Sequence, residues 1–267
     1  MFVPGLIFNN KKEDAEKLAR FKEPSWNNPV IRLLTHDFKD IVGRKDGIWS
    51  TGDVTNRIIE TLKATKRKVP ECLKLVQLEN SKKTEFATFA MHCYWEGEIQ
   101  FGQLPGVKET QSAWYDGKEI VNVAFDPSVS SYEQVLKLAL KVRCASTIYA
   151  RDKAQSETAR KFAADRVETI GIKEYGRPAK ASDQKYYLEG SPIRYVPMTK
   201  TQRVRVNSAL GRRNDPARYL TSKQVEISKW IQKNRENRSL INDLQVARSK
   251  LDLVDYSEFV KQRMKKN

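Results

Sequence analysis

The densest group of residues able to do chemistry is Met91-His92-Cys93-Tyr94-Trp95-Glu96-Gly97-Glu98. It sits where an apolar, strand-like run ends and a helical run begins. A cysteine at the start of a helix faces unpaired backbone N–H groups and the positive end of the dipole, and both favour thiolate. A thiolate is a nucleophile, and the two aromatic rings that follow can wall an apolar pocket above it. The competing reading is an inert buried cysteine among aromatics, the commoner fate of such a residue taken alone. His92 beside Cys93 raises a metal site, but neighbours on a strand point to opposite faces, so no metal is expected there. His36 falls in a turn and reads as solvated. A glycine-rich phosphate loop and a serine-nucleophile elbow are both absent, so phosphoryl and acyl transfer have no support.

Holding this cysteine in place requires a strand before it and a sheet beside it. Periodicity predicts a strand at 84–91, a helix at about 95–104, strands at 107–115 and 118–125, a helix at 132–142 and a strand at 145–149. Asp116-Gly117 is a two-residue hairpin turn between the middle strands. Val121, Val123 and Phe125 alternate as in a half-buried strand. Ser131 can cap the second helix, whose stripe is Val135, Leu136, Leu138, Ala139 and Val142. The order β-α-β-β-α-β is the ferredoxin-like pattern, so the expected class is α+β with a mixed sheet. A helix over about 153–169 and a Gly/Pro/Lys loop lead on to Asp183–Leu188.

Three sections are expected: residues 1–72, 73–190 and 191–267. The first holds a polar helix from Glu13 to Phe21, then extended segments at 30–34 and 39–42. A helix at 51–65 closes it, with Val54, Ile58, Ile59 and Leu62 on one face. The last starts with an extended, proline-bounded segment at 191–197 and continues as helices near 200–209, 222–236, 239–250 and 256–264, with Ser239 as an N-cap. The 267 residues carry 49 Lys/Arg against 33 Asp/Glu, a net charge of +16. Residues 200–267 hold 17 of the basic and 7 of the acidic residues, so most of the excess lies there. A basic tail with Trp230 and Tyr219 fits an anionic partner or, more plainly, a solvated helical face. No run approaches the roughly 18 apolar residues of a membrane helix. The N-terminus lacks a basic n-region, so no signal peptide is expected and the cytoplasm is favoured. Three cysteines exclude a disulfide scaffold.

The wider pattern resembles the methionine sulfoxide reductase A family. Its Gly-Cys-Phe-Trp-x-x-Glu string is matched by His92-Cys93-Tyr94-Trp95-Glu96-Gly97-Glu98, with Cys93, Trp95 and Glu98 in register. Its Leu-Pro-Gly-Val is present as Leu104-Pro105-Gly106-Val107, and its Asp-Pro-Ser-x-x-Ser-Tyr-Glu-x-Leu-Leu stretch as Asp126 to Leu136. Asp183-Gln184-Lys185-Tyr186-Tyr187-Leu188 is similar to the family's His-Gln-x-Tyr-Leu. The resemblance spans about 110 residues, and its second and third matches support fold more than activity. It implies a peptide-methionine (S)-S-oxide reductase-like oxidoreductase, acting in protein repair or on free methionine sulfoxide. Cys93 falls on the nucleophile, Tyr94 and Trp95 on the aromatics that hold the substrate methyl, and Glu119 on the catalytic acid. Glu98 is expected to be structural and to pair with a base. The sequence departs from the family at His92, at Tyr94 and in the tight Asp116-Gly117 turn, which replaces a loop bearing a pocket tyrosine. Trp114 or Tyr115 is placed to take part of that role. The second pocket tyrosine falls on Cys144. Separately, about 45 residues of the 1–72 section, with Pro29 before the first strand, resemble the second half of a thioredoxin domain without its Cys-x-x-Cys half, so that 1–72 reads as a partial thioredoxin-like segment and a scaffold.

The implied chemistry leaves a sulfenic acid on Cys93 that a second thiol must resolve, with no bound cofactor and an external thiol reductant such as thioredoxin. Cys144 opens the last strand of the unit and Cys72 lies in an inter-domain linker. The expected pairing is Cys93–Cys144, against the alternative that Cys144 merely fills the vacated tyrosine space. The rival function is a reductase-like scaffold that has lost its pocket and binds a partner through the basic C-terminal helices.

Overall fold

In a computed structural model, which describes residues 5–24, 29–142, 145–170 and 175–266, the chain divides into two units between Val69 and Pro70. The first unit carries α1 (Ala15–Arg20), an antiparallel ribbon of β1 (Val30–Ile31) and β2 (Lys45–Asp46), and α2 (Thr51–Ala64). Ser50 caps α2 by accepting from the Asp53 amide, and Ile59 and Leu62 form part of its buried side. The strand expected at 39–42 is reduced to one bridge, Leu34 to Asp40. Phe38 turns left-handed and Thr35 Oγ1 accepts from the Lys39 amide, so the chain reverses before a ladder can form.

The second unit opens with a helix that the sequence reading missed, α3 (Glu71–Glu79), which buries Leu75 and Leu78 behind an N-cap at Pro70. Cys72 is therefore helical, not part of a linker. Next come β3 (Glu85–Ala90), α4 (Tyr94–Phe101), β4 (Val107–Tyr115), β5 (Lys118–Phe125), α5 (Tyr132–Lys141), β6 (Thr147–Ala150), α6 (Lys153–Ala163), β7 (Val167–Thr169) and β8 (Arg177–Pro178). The six strands lie in the order β7-β6-β3-β5-β4-β8, antiparallel throughout except for the parallel pair β6–β7. The class is thus α+β with a mixed sheet. Asp116 and Gly117 both have positive φ, 49° and 70°, as a twist-matched hairpin turn requires.

Ala87, Phe89 and Met91 of the β3 segment and Val121, Val123 and Phe125 of β5 share one face, packed against Phe101 of α4 and Val135, Leu136 and Ala139 of α5. Ser131 and Gln134 close α5 with a reciprocal capping box. The helix expected to run to 169 stops at Ala163. Ala159, Ala163 and Val167 keep helical spacing, which is what misled the sequence reading, but the open edge of β6 takes Val167–Thr169 as a strand.

The C-terminal part contributes α7 (Tyr186–Glu189), α8 (Lys200–Gly211), α9 (Ser222–Lys233), α10 (Arg238–Lys250) and α11 (Leu253–Lys266). Leu188, Val206, Ile227, Ile231, Leu244 and Val260 are at the centre of its own apolar cluster. Pro192–Tyr195 forms a 3-10 turn, not the extended segment expected, because Pro192 occupies the first helical position and Ser191 caps it. Asn237, not Ser239, caps α10. No helix among the described residues is long and apolar enough to cross a membrane.

Candidate active site

The edge-to-centre ladder of the sheet sets the site. Ala90 pairs with Ile120, and one residue further the Met91 amide donates to the Glu119 carbonyl at 2.7 Å. Glu119 thus stands across from the end of β3, where the chain leaves the sheet. Cys93 is the N-cap of α4, with extended backbone angles, and its carbonyl accepts from the Gly97 amide at 3.1 Å. Its side chain makes no capping hydrogen bond, so the half-buried sulfur is not spent on closing the helix.

Glu119 Oε2 accepts from the Tyr94 backbone N–H at 2.8 Å. That amide is the first of α4 and belongs to the residue after Cys93. The carboxyl is therefore anchored beside the thiol by a donor that would otherwise be an orphan of the helix end. Trp114 is the cross-strand partner of Glu119 and shares its face of the sheet. The Tyr94 ring meets Trp114 edge-on at 5.8 Å and Trp95 at 5.9 Å. Cys93, Tyr94, Trp95, Trp114 and Glu119 are thus brought together. Tyr115, the alternative to Trp114, points to the other face, where it packs against Tyr149.

Two residues outside the sequence-based set join this group. Tyr186 stacks on Trp95 with ring centroids 4.0 Å apart, and Tyr187 meets Tyr186 edge-on at 5.5 Å. Burial raises the Tyr187 phenol above its usual range, and the neighbouring Glu96 and Cys93 push it the same way. The phenol is thus kept protonated at neutral pH. Burial also raises the Tyr94 phenol, with help from the nearby negative charges of Asp183 and Glu119. The signal that pointed to this segment was the match at Asp183 to Leu188. What the sequence did not show was that it folds back onto α4.

Glu98, one turn into α4, is fully buried and bonds Lys185 twice, at the ammonium and at the amide, both at 2.7 Å. Thr110 Oγ1 donates to it at 3.1 Å. Its pairing with a base is as expected, and it ties the nucleophile helix to the segment bearing Tyr186 and Tyr187. Gly97 lies so close to the sheet that a Cβ there would come within 2.7 Å of Val121. The far end of α4 is held by α8: Ser208 Oγ donates to the Ile99 carbonyl at 2.6 Å and Arg205 to those of Gly102 and Pro105. Burial of Arg205 pulls its guanidinium down to about 10.

Cys144 lies outside the described residues. The Ser146 amide donates to the Ala90 carbonyl at 3.1 Å. Cys72 is half-buried in α3, and burial raises its thiol above the ordinary cysteine range. His92 is exposed, and among the described residues no group of three His, Cys, Asp or Glu side chains could hold a metal ion.

Comparison with known proteins gives a consistent, limited result. No family model matches the chain. Over 71 residues it is 38% identical to the peptide methionine sulfoxide reductase MsrA of Shigella boydii, covering 20% of this chain and 34% of that protein. The MsrA proteins of Escherichia coli and Escherichia fergusonii match over the same extent. The chain spans about a third of the length of these curated relatives. The similarity supports a distant relationship to MsrA.

Proposed function

We propose that this protein reduces methionine sulfoxide to methionine, with Cys93 as nucleophile and Glu119 as acid. The observation that carries the reading is the Glu119 carboxyl, anchored on the amide next to Cys93 beneath Tyr94, Trp95 and Trp114. The Cys93 thiolate attacks the sulfoxide sulfur, Glu119 protonates the oxygen, and the oxygen passes to Cys93 as a sulfenic acid while the thioether departs. A second thiol condenses with the sulfenic acid, releasing water and forming a disulfide. An external dithiol of the thioredoxin type then takes up the oxidation and restores Cys93. Tyr187 is the donor best placed to bond the sulfoxide oxygen in place of the pocket tyrosines that the sequence lacks. Trp95 and Tyr94 supply the apolar wall for the methyl group.

In this reading residues 73–190 form the reductase-like part. The strand order β6-β3-β5-β4 and its antiparallel pairing support a ferredoxin-like core. The ribbon and helix of the first unit serve as scaffold, in keeping with the thioredoxin-like resemblance. Cys144 is the resolving thiol. The test is turnover of a methyl sulfoxide with dithiothreitol by wild type and Cys93→Ser. Turnover by wild type and none by Cys93→Ser is expected. Equal rates would end the enzyme reading.

A further inference from the structure

Tyr186 and Tyr187 ride on a helix of one turn, α7, which is too short to hold its own shape. It begins after Lys185, a non-glycine residue in the left-handed region with φ 53°. Its place is set from outside at three points. Glu98 of α4 holds Lys185 before it. Asn207 of α8 accepts from the Leu188 amide at 3.0 Å. At its end Glu189 receives two arginines from different helices. Arg203 of α8 bonds it at 2.5 Å, and Arg248 of α10 makes a two-pronged contact at 2.6 and 2.9 Å. All three side chains are only 20–25% exposed, so water screens this cluster weakly.

The two arginines and one carboxylate do different work. Burial alone would raise the Glu189 carboxyl, but the bonds from Arg248 and Arg203 outweigh it and hold the group below its ordinary range. Arg203 and Arg248 repel each other and depend on the carboxylate between them. A planar guanidinium gripping both carboxylate oxygens fixes direction as well as distance, which a lysine cannot do. Arg248 is 59 residues beyond Glu189, past the residues that carry the family resemblance. Its guanidinium touches no part of the thiol site. It meets the segment bearing Tyr186 and Tyr187 at Glu189, the last residue of α7.

We infer that Arg248, with Arg203, is a positioning residue: the pair clamps Glu189 and so fixes the Tyr186–Tyr187 shelf against Trp95 and beside Cys93. The basic C-terminal helices then have a task at the site, which is to hold one wall of the pocket from behind. This rests on the proposed reductase reading for its kinetic consequence, though not for its structural one.

The experiment compares full-length wild type, Arg248→Lys and Arg248→Met in two ways. The first is sulfoxide turnover. The second is the near-ultraviolet circular dichroism of the Trp95–Tyr186 stack, obtained by subtracting the Trp95→Phe spectrum in each background. Arg248→Met is expected to raise KM about five- to tenfold and to lower kcat as well, because the loosened α7 carries both the wall that binds the substrate and the Tyr187 donor. The stack signal falls with it, and Arg248→Lys recovers part of both. Unchanged KM and unchanged stack signal in Arg248→Met would overturn the inference. So would kcat and KM failing together without recovery by lysine, the mark of general unfolding. Should Arg248→Met not fold, Arg203→Met keeps the two-pronged Arg248 contact and must give a smaller change of the same sign, and no change there also overturns it. If wild type turns over no sulfoxide, the reductase reading falls, and the stack signal alone still decides whether the clamp sets the shelf.

Discussion

At Glu119 the backbone and the chemistry can be separated. Gln at this position keeps an oxygen to accept from the Tyr94 amide, so α4 and the sheet should stay as they are, but its side-chain N–H is far too weakly acidic to protonate the leaving oxygen. General acid catalysis contributes about 10²–10⁴ in rate. Glu119→Gln should therefore cut the single-turnover formation of methionine by about 10² or more. Glu96 and Glu133 are the controls, since Glu96 bonds Gln100 and Glu133 pairs with Lys137 on the α5 surface. Equal small losses in all three would remove Glu119 from its role. Tyr187 allows a second test at the same scale. Removing one preorganised donor to a developing charge costs about 10²–10³. Tyr187→Phe should show a loss of that order, whereas Tyr186→Phe keeps the ring on Trp95 and should show little. A reversed ranking would assign the donor to Tyr186. The elements that carry Cys93, Tyr94, Trp95 and Glu119 were legible from short strings of local spacing, whereas Glu119 itself stood out only through the family resemblance. Asp183 and Tyr187 lie in a string that marks no site by its spacing, since their approach to α4 depends on the buried Glu98–Lys185 pair across 87 residues.

The two motifs at 104–107 and 126–136 show why elements, and not chemistry, carry much of the resemblance. A Cβ on Gly106 would come within 2.8 Å of the Ser130 backbone nitrogen, and Ser130 Oγ in turn accepts from the Gly106 amide at 3.2 Å. The Gly106 carbonyl accepts from the Asp126 amide at 2.8 Å. The start of β4 and the turn after β5 are thus locked by a close backbone approach that only glycine allows. Gly106→Ala has no flexible neighbour to push aside, so it should cost about 1–3 kcal/mol. It should lower Tm while leaving kcat at 20 °C near wild type. A loss of kcat without loss of Tm would show that this turn belongs to the site. The hairpin, α5 and its cap were readable because their signals are local. By contrast α3 was hidden by its proline and charged flank, and β7 by an apolar spacing that suits a helix equally well. In both cases the partner surface decided, and that surface is distant in sequence.

Over the whole molecule, the net charge of +16 gave little warning that individual cations are structural. Arg205 is buried against the end of α4, and Arg203 and Arg248 converge on Glu189. Charge counting reads such residues as a solvated basic face, because composition carries no distances. Their role has a pH signature whose sign follows from linkage. Glu189 is held below its ordinary value of 4.5 in the folded protein, so the folded state binds its proton less readily than the unfolded chain does. Its contribution to stability is complete above about pH 5 and is lost as pH falls through 4.5 toward the lower folded value. Glu189→Gln removes the charge at every pH and leaves the two arginines facing each other. The Tm gap between wild type and Glu189→Gln should therefore be widest from pH 5 to 7 and should narrow as pH falls below 4.5, because the unfolded wild-type chain takes up the proton before the folded one does. Thermal melts across that range at fixed ionic strength measure it. A gap that stays constant from pH 7 to pH 3 would mean that Glu189 acts through shape alone, and the arginines would then lose their place as an electrostatic clamp.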